Sequence, residues 1–230
     1  IEDILFLEES YNKDSPASVG KALRLNRLVF SGIRNSGAVL NFDHLFHSGI
    51  NIWIADNQKG KSTVFKIIKF ALTGKDSIKK DIKPWIEEIL LEFTVGKVTY
   101  TCHIDRTGRD RGSLYRFSID QYKSYKSGFK LDTLEKQVEF SFRSALELEE
   151  KLQSFFFEQF SYYVLKFTQK NSAKDSVDLN TSSLSWATYF KSIYLESSNY
   201  KHLFFEQEGI GLQGKKIFEM VLGLPLTYPI

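Results

Sequence analysis

Gly60, Lys61, Ser62 and Thr63 stand between a short apolar run at residues 50–54 and the apolar positions Val64, Ile67, Ile68 and Ala71, which recur at helical spacing. A lysine and two hydroxyls at a strand-to-helix junction suit phosphate binding. The first amides of a helix have no intrahelical acceptor, so they can point at an anion, and the helix dipole adds positive potential at the same place. On this reading the amides of residues 57–63, including Asn57, Gln58 and Lys59, wrap the β-phosphate of a nucleotide. Gly60 lets the backbone come close, Lys61 bridges the β- and γ-phosphates, the Ser62 hydroxyl ligates Mg²⁺, and Thr63 sits beside the α-phosphate. The pattern GxxxxGK[ST] is broken at its first position, where Ala55 replaces glycine. A bare GK[ST] is a weak signal, and an ordinary strand-to-helix turn is the competing reading; the flanking apolar segments favour the phosphate site.

Other groupings carry less. His44 and His47 lie three apart with no cysteine or third histidine nearby, which argues against a metal site. Arg106, Arg109, Arg111 and Arg116 suit contacts to a nucleic-acid backbone, since phosphate contacts need only cations on an accessible face; a solvated hairpin edge explains them equally. Aromatic residues at 155–163 suit base stacking, but their helical spacing favours a core role. No Ser-His-Asp or paired-carboxylate arrangement emerges from spacing.

The elements that must position the loop are legible in the pattern. Residues 1–21 read as a peripheral arm, closed by the turn-rich Asp14, Ser15, Pro16, Ser18 and Gly20, and the ordered domain begins near Ala22. Leu23, Leu25, Leu28 and Phe30 predict a strand with one slip in its alternation, and Val39, Leu40 and Phe42 predict a second. Residues 50–54, apolar on both faces, predict a central strand covered on both sides. Gly74 is placed to stop the helix that follows the loop. Ile89, Leu91, Phe93 and Val95, then Gly96-Lys97, then Val98, Tyr100, Cys102 and Ile104 make a hairpin signal, and Leu114, Tyr115 and Phe117 a further strand. Ser144 with Glu147 is a capping pattern ahead of Leu148, Leu152, Phe155, Phe156 and Phe160. Residues 174–183 read as loop, 186–195 as strand, and 215–222 as a short helix stopped by Gly223 and Pro225.

Composition bounds the class. A chain of 230 residues with 42% hydrophobic and 26% charged residues can bury a core, and its net charge is only +3, although residues 59–130 are basic. That half suits phosphate-bearing partners, or is an ordinary solvated face. The single cysteine excludes an internal disulfide and, in its alternating context, reads as a small buried hydrophobe. No apolar run approaches the roughly 18 residues of a membrane span, and no signal pattern opens the chain, so a cytoplasmic location without membrane contact is expected. The chain starts without methionine, as a fragment would.

"LRLNRLVFSGIRNSGAVLNFDHLFHSGINIWIADNQKGKSTVFKIIKFALTG" resembles the start of an ABC-type ATPase head of the structural-maintenance-of-chromosomes (SMC) kind, a class that includes double-strand-break-repair and RecF/RecN-like ATPases. The matching pieces are a first strand, the Ile33-Arg34-Asn35-Ser36 loop, a second strand, Asn57 with Gly60-Lys61-Ser62-Thr63, and Ala71-Leu72-Thr73-Gly74. "ILLEFTVGKVTYTCHIDR" resembles the following hairpin, with Arg106 at its close, and "KKIFEMVLGLPL" resembles the helix that leads into the family's coiled coil. The resemblance implies an α/β P-loop fold of ABC type: a mixed sheet with an antiparallel β-hairpin subdomain and flanking helices, with residues 22–230 as the N-terminal lobe of a bipartite head. It implies ATP and Mg²⁺ as ligands, Lys61 as the catalytic cation, and Arg34 either reaching the nucleotide or shaping its own loop.

Three departures from the family pattern stand out. Ala55 and Gln58 replace two loop glycines. The glutamine expected after the late strand is missing, and Glu196 there is either a metal- or water-side ligand or an exposed turn carboxylate; Gln207 and Gln213 lie farther on. No LSGG-like signature and no apolar run ending in Asp-Glu occur, which implies that hydrolysis requires a C-terminal lobe and a second head in a homodimer closing on ATP and clamping DNA, with accessory subunits possible. Chromosome organisation, DNA repair and defence against foreign DNA all fit, and bacterial defence systems of the Lamassu and Wadjet type hold divergent members; the bacterial cytoplasm or nucleoid is the implied location. Two other classes compete: a stand-alone P-loop kinase or NTPase, for which Leu91-Glu92 and Leu195-Glu196 are poor Mg²⁺ sites, and a non-hydrolysing nucleotide-binding scaffold.

Overall fold

The computed structural model describes residues 21–56, 59–127, 137–162, 164–170, 179–195 and 213–222. The chain divides into two compact units, Ala22–Leu152, and Gln153–Ile230 with Ile1–Lys21. Among the described residues no helix is long and apolar enough to cross a membrane.

The first unit is an antiparallel sheet of six strands in the order β2-β1-β3-β4-β5-β6. They are β1 (Leu23–Ile33), β2 (Val39–Leu45), β3 (Ile86–Val95), β4 (Val98–Asp105), β5 (Arg111–Tyr115) and β6 (Val138–Phe142). The slip read in β1 is a bulge: its pairing with β3 shifts between Leu25 and Arg27, which returns Leu28 and Phe30 to the buried face. Asn26 sits at the shift and is held there, its side-chain amide donating to Thr94 Oγ1 at 2.8 Å and Glu92 Oε1 at 3.2 Å. Leu28 opposite Leu91, Phe30 opposite Ile89, and Leu91 opposite Cys102 set a register that puts the apolar side chains on one face. Cys102 is buried there, as its alternation predicts.

Helix α1 (Lys61–Thr73) lies against β3 and buries Ile67, Ile68, Phe70 and Ala71. The opposite face carries a smaller cluster of Leu90, Phe117, Ile119 and Tyr122 under α2 (Ile119–Lys126), whose N-terminus is closed by a full capping box between Ser118 and Gln121. Helix α3 (Ala145–Phe160) starts as its capping pattern predicts: Ser144 Oγ accepts from the Glu147 amide at 3.1 Å, and the Glu147 carboxylate accepts from the Arg143 amide at 2.8 Å.

Gly74 ends α1 in the left-handed conformation, φ 72°, with its amide donating to the Phe70 carbonyl at 2.8 Å. A Cβ at this position would lie 2.6 Å from the backbone of Glu149 in α3. Strain and overlap therefore add. Gly74→Ala is expected to destabilise the fold by about 3 kcal/mol, seen as a lower denaturant midpoint at unchanged slope; an unaltered midpoint would show that α3 yields freely.

In the second unit the described aromatics of residues 155–162 pack against one another and against Trp186 and Tyr189. Phe156 stacks on Trp186 at 4.5 Å and on Phe160 at 5.9 Å, and the Leu165 amide donates to the Tyr189 hydroxyl at 3.2 Å. Phe155, Phe156, Phe157 and Phe160 are all buried, which removes them from base stacking. Two expectations are corrected here. Residues 186–195, predicted as strand, begin with α4 (Trp186–Phe190), because Trp186, Tyr189 and Phe190 recur at helical spacing and all three are buried. Residues 174–183, predicted as loop, include β8 (Leu179–Ser183), which pairs with β7 (Lys166–Lys170); hydroxyl-rich strands are identified by their partner more than by alternation. The last helix, α5 (Gln213–Val221), matches the helix predicted there, while Gly223 and Pro225 fall outside the described residues.

Residues 50–54 do not form the expected central strand. They enter no ladder, every described strand pair is antiparallel, and Ile50, Ile52 and Ile54 are 90%, 75% and 93% exposed. The composition is that of a strand, but a strand exists only where backbone partners complete it.

Candidate functional site

The loop ahead of α1 is anchored at its entry by one ring. Trp53, half-buried between exposed isoleucines, donates from Nε1 to His44 Nε2 at 3.1 Å, and packs against Phe46 at 5.8 Å and Phe65 of α1 at 5.3 Å. The preceding turn closes on Asn51, which accepts from the His47 amide at 2.9 Å and donates to the His47 carbonyl at 2.9 Å. His44 is thus an acceptor within an aromatic cluster, and the described residues hold no group of three or more His, Cys, Asp or Glu placed for a metal. A cavity of about 530 Å³ opens here, walled by Arg24, Phe46, His47, Trp53 and Phe65. Such walls accept a flat ring by stacking.

Gly60 is the residue before α1 and adopts φ 88°, ψ 4°, a conformation that glycine takes without strain. Its carbonyl accepts from the amides of Thr63 at 2.9 Å and Val64 at 3.1 Å, starting the helix. No side chain caps this end, and no acidic residue lies in the first turn. The positive end of the dipole is therefore left for an external anion.

Lys61 folds back over the loop. Its ammonium donates to the Asp56 carbonyl at 2.8 Å and to the Ala55 carbonyl. Both acceptors are carbonyls, and no described carboxylate pairs with this ammonium. Ser62 is exposed on the first turn, and Lys59 is exposed just before it. One serine hydroxyl makes no cation cage, but Mg²⁺ bound with phosphates takes most of its ligands from phosphate and water; an exposed Ser62 fits that sparse role.

Of the residues read from sequence as site residues, Lys59, Gly60, Lys61, Ser62 and Thr63 lie together here, whereas Asn57, Gln58 and Glu196 fall outside the described residues. Arg34 occupies the β1–β2 turn, where its amide donates to the Ala38 carbonyl at 2.9 Å and its carbonyl accepts from Gly37 at 2.8 Å. Its side chain is exposed, and no described contact joins it to residues 59–63.

The four arginines that suit nucleic-acid backbone contacts, or equally a solvated hairpin edge, are separated by their partners. Arg106 has a side chain only 3% exposed, bonded to Asp76 at 2.8 Å and Asp110 at 3.1 Å, with its guanidinium 5.1 Å above the Phe70 ring. Arg111 pairs with Asp105 at 2.9 Å, and Arg116 with Glu139. Only Arg109, among these four, has no ion pair to described residues. Sequence reasoning missed both the anchoring role of Trp53 and the burial of Arg106. A lone tryptophan just ahead of the loop, with the aromatic residues among 42–46 shortly before it in sequence, was the available signal for the first.

A family model described as an AAA domain, AAA_23, matches residues 30–216, well over half of the chain. No curated protein matches it.

Proposed function

The chain belongs to the AAA_23 family of AAA domains, a family found in SMC/RecF/RecN-like ATPases, and from that premise we propose that it is the ATP-binding N-terminal lobe of a bipartite, SMC-like head. A domain of this family points to nucleotide binding and hydrolysis, with Mg²⁺ typical. The observation that carries the proposal is the uncapped start of α1, with left-handed Gly60 and a Lys61 ammonium resting on neutral carbonyls. An incoming triphosphate would draw that ammonium onto its β- and γ-phosphates, because anionic oxygens bind a cation more strongly than carbonyl dipoles do. The amides at the helix start would hold the β-phosphate, and Ser62 would join Mg²⁺, which when bound neutralises the charge that develops during phosphoryl transfer. Asn57, Gln58, Lys59, Thr63 and Arg34 are proposed to complete the nucleotide contacts, and Glu196 the metal side.

Support for a second lobe comes from residues 50–54. Three alternating isoleucines in water leave apolar area unburied, at roughly 25 cal/mol per Å², and strands supplied by a C-terminal lobe would cover them and complete the sheet. ATP-driven pairing of two such heads, coupled to clamping of DNA in chromosome organisation, repair or defence, is the activity proposed for the whole protein in the cytoplasm. The test combines isothermal titration of MgATP with a turnover assay on the chain alone and with a co-expressed C-terminal lobe. Binding without turnover by the chain alone, and turnover with the added lobe, are expected. Fast turnover by these 230 residues alone would favour a self-contained kinase or NTPase, and absence of MgATP binding would end the proposal.

A further inference from the structure

Within Ala22–Leu152 a hollow of about 690 Å³ lies among the segment around Lys80 and Lys83, the β4–β5 turn and the start of α3. Lys80, Lys83, Arg106, Arg109 and Arg143 line it, against a single lining carboxylate, Asp110. Arg106 forms its buried wall, fixed by Asp76 and Asp110, and its Nη1 has no hydrogen-bond partner. Asp76 lies behind and also pairs with Lys83 at 2.8 Å. Glu147 is tied to Lys151 at 2.7 Å and to the Arg143 amide. Lys80 and Arg109 are exposed and carry no ion pair among the described residues. Ser144 and Ala145 bring the positive end of the 16-residue α3 to the same hollow.

Cations spread over a convex surface repel little, whereas cations facing one hollow focus their field into it. Asp76, Asp110 and the Glu147 carboxylate near Arg143 are three acids against five cations, and Lys80 and Arg109 are exposed. A carboxylate ligand would supply one charge; a polyphosphate, or successive phosphodiesters of one strand, brings several charges and several acceptor oxygens into the hollow together. We propose that this hollow is a second phosphate-binding site, sharing no residue with the loop at 55–63, and that it takes either a free polyphosphate or the phosphodiester chain of a single strand. The oxygens would meet Lys80, Arg109 and Arg143 first, with Arg106 held rigid at the back.

The test titrates the full chain with sodium tripolyphosphate and, separately, with a fluorescein-labelled oligothymidylate, in wild type, Lys61→Ala, the double variant Lys80→Glu/Arg109→Glu and the two combined. The Lys61→Ala chain should retain binding at this site, which separates it from the phosphate loop. The double change, which is exposed and leaves the circular dichroism and MgATP titration of the otherwise wild-type chain unaltered, should on the Lys61→Ala background lower affinity for the probe by about tenfold or more and reduce the salt slope by about two. Binding of the small anion alone assigns a free polyphosphate, and binding of the oligonucleotide assigns the strand. If Lys61→Ala binds neither probe, or if adding Lys80→Glu/Arg109→Glu to Lys61→Ala leaves probe affinity unaltered, the site does not exist.

Discussion

Lys61→Ala is expected to weaken MgATP binding by roughly ten- to a hundred-fold and to abolish turnover in the assembled head. A hydrogen bond to a charged group contributes about 1.5–3 kcal/mol, and this lysine is placed to make such bonds to two phosphates. Its loss also removes positive charge where charge builds up on the transferring group, so turnover should suffer more than binding. Stability should barely change. Lys61 is only partly buried, and its acceptors, the carbonyls of Ala55 and Asp56, belong to exposed residues that water can satisfy. Titration calorimetry and thermal melting on the same preparation separate the two effects. Undiminished MgATP affinity in a well-folded Lys61→Ala chain would remove the loop from the site. Lys61→Arg should not rescue, because a planar fork does not replace a compact ammonium reaching between two phosphates.

Arg106→Leu should be the most damaging single change to the fold, at about 3–5 kcal/mol. The guanidinium, 3% exposed, holds Asp76 at 2.8 Å and Asp110 at 3.1 Å. Leucine would replace the guanidinium over the Phe70 ring with an apolar group but leave both carboxylates short of a cation, with Lys83 the remaining partner of Asp76. Burial alone would push the Asp76 carboxyl up, yet the hydrogen bonds from Lys83 and the Ile78 amide, with the charge of Arg106, outweigh it and hold the group below the ordinary aspartate range. A depressed carboxylate stabilises the fold above its unfolded value, and that contribution is lost as pH falls through the folded value. The wild-type midpoint should therefore fall on acidification below the ordinary aspartate pKa of 3.8, and the variant should show a shallower fall. Parallel pH profiles for the two chains would show that Arg106 contributes nothing to holding Asp76 ionised.

The parts of the fold that sequence revealed are those governed by local rules. The β3–β4 hairpin follows from alternation around Gly96-Lys97, α1 from an apolar face ended by Gly74, and α3 from Ser144 and Glu147. Even the slip in β1 was visible, since a bulge is a break in period. What escaped depends on distant partners. Residues 50–54 have the composition of a strand without a neighbour to pair with, and β8 has a neighbour without the composition. At the site, Lys61 and its glycine were legible because a phosphate loop is contiguous in sequence. The burial of Arg106 was not, because Asp76 lies 30 residues away and nothing local marks it as a partner.

Cys102 lies in the middle of the sheet, paired across from Leu91 and Leu114, and desolvation pushes its thiol up to about 12. Thiolate is the reactive form, so alkylating reagents at neutral pH should pass the native protein by. As the chain's single sulfhydryl, it is a built-in reporter: the rate at which it becomes modified measures how often the central strands part, without any introduced label.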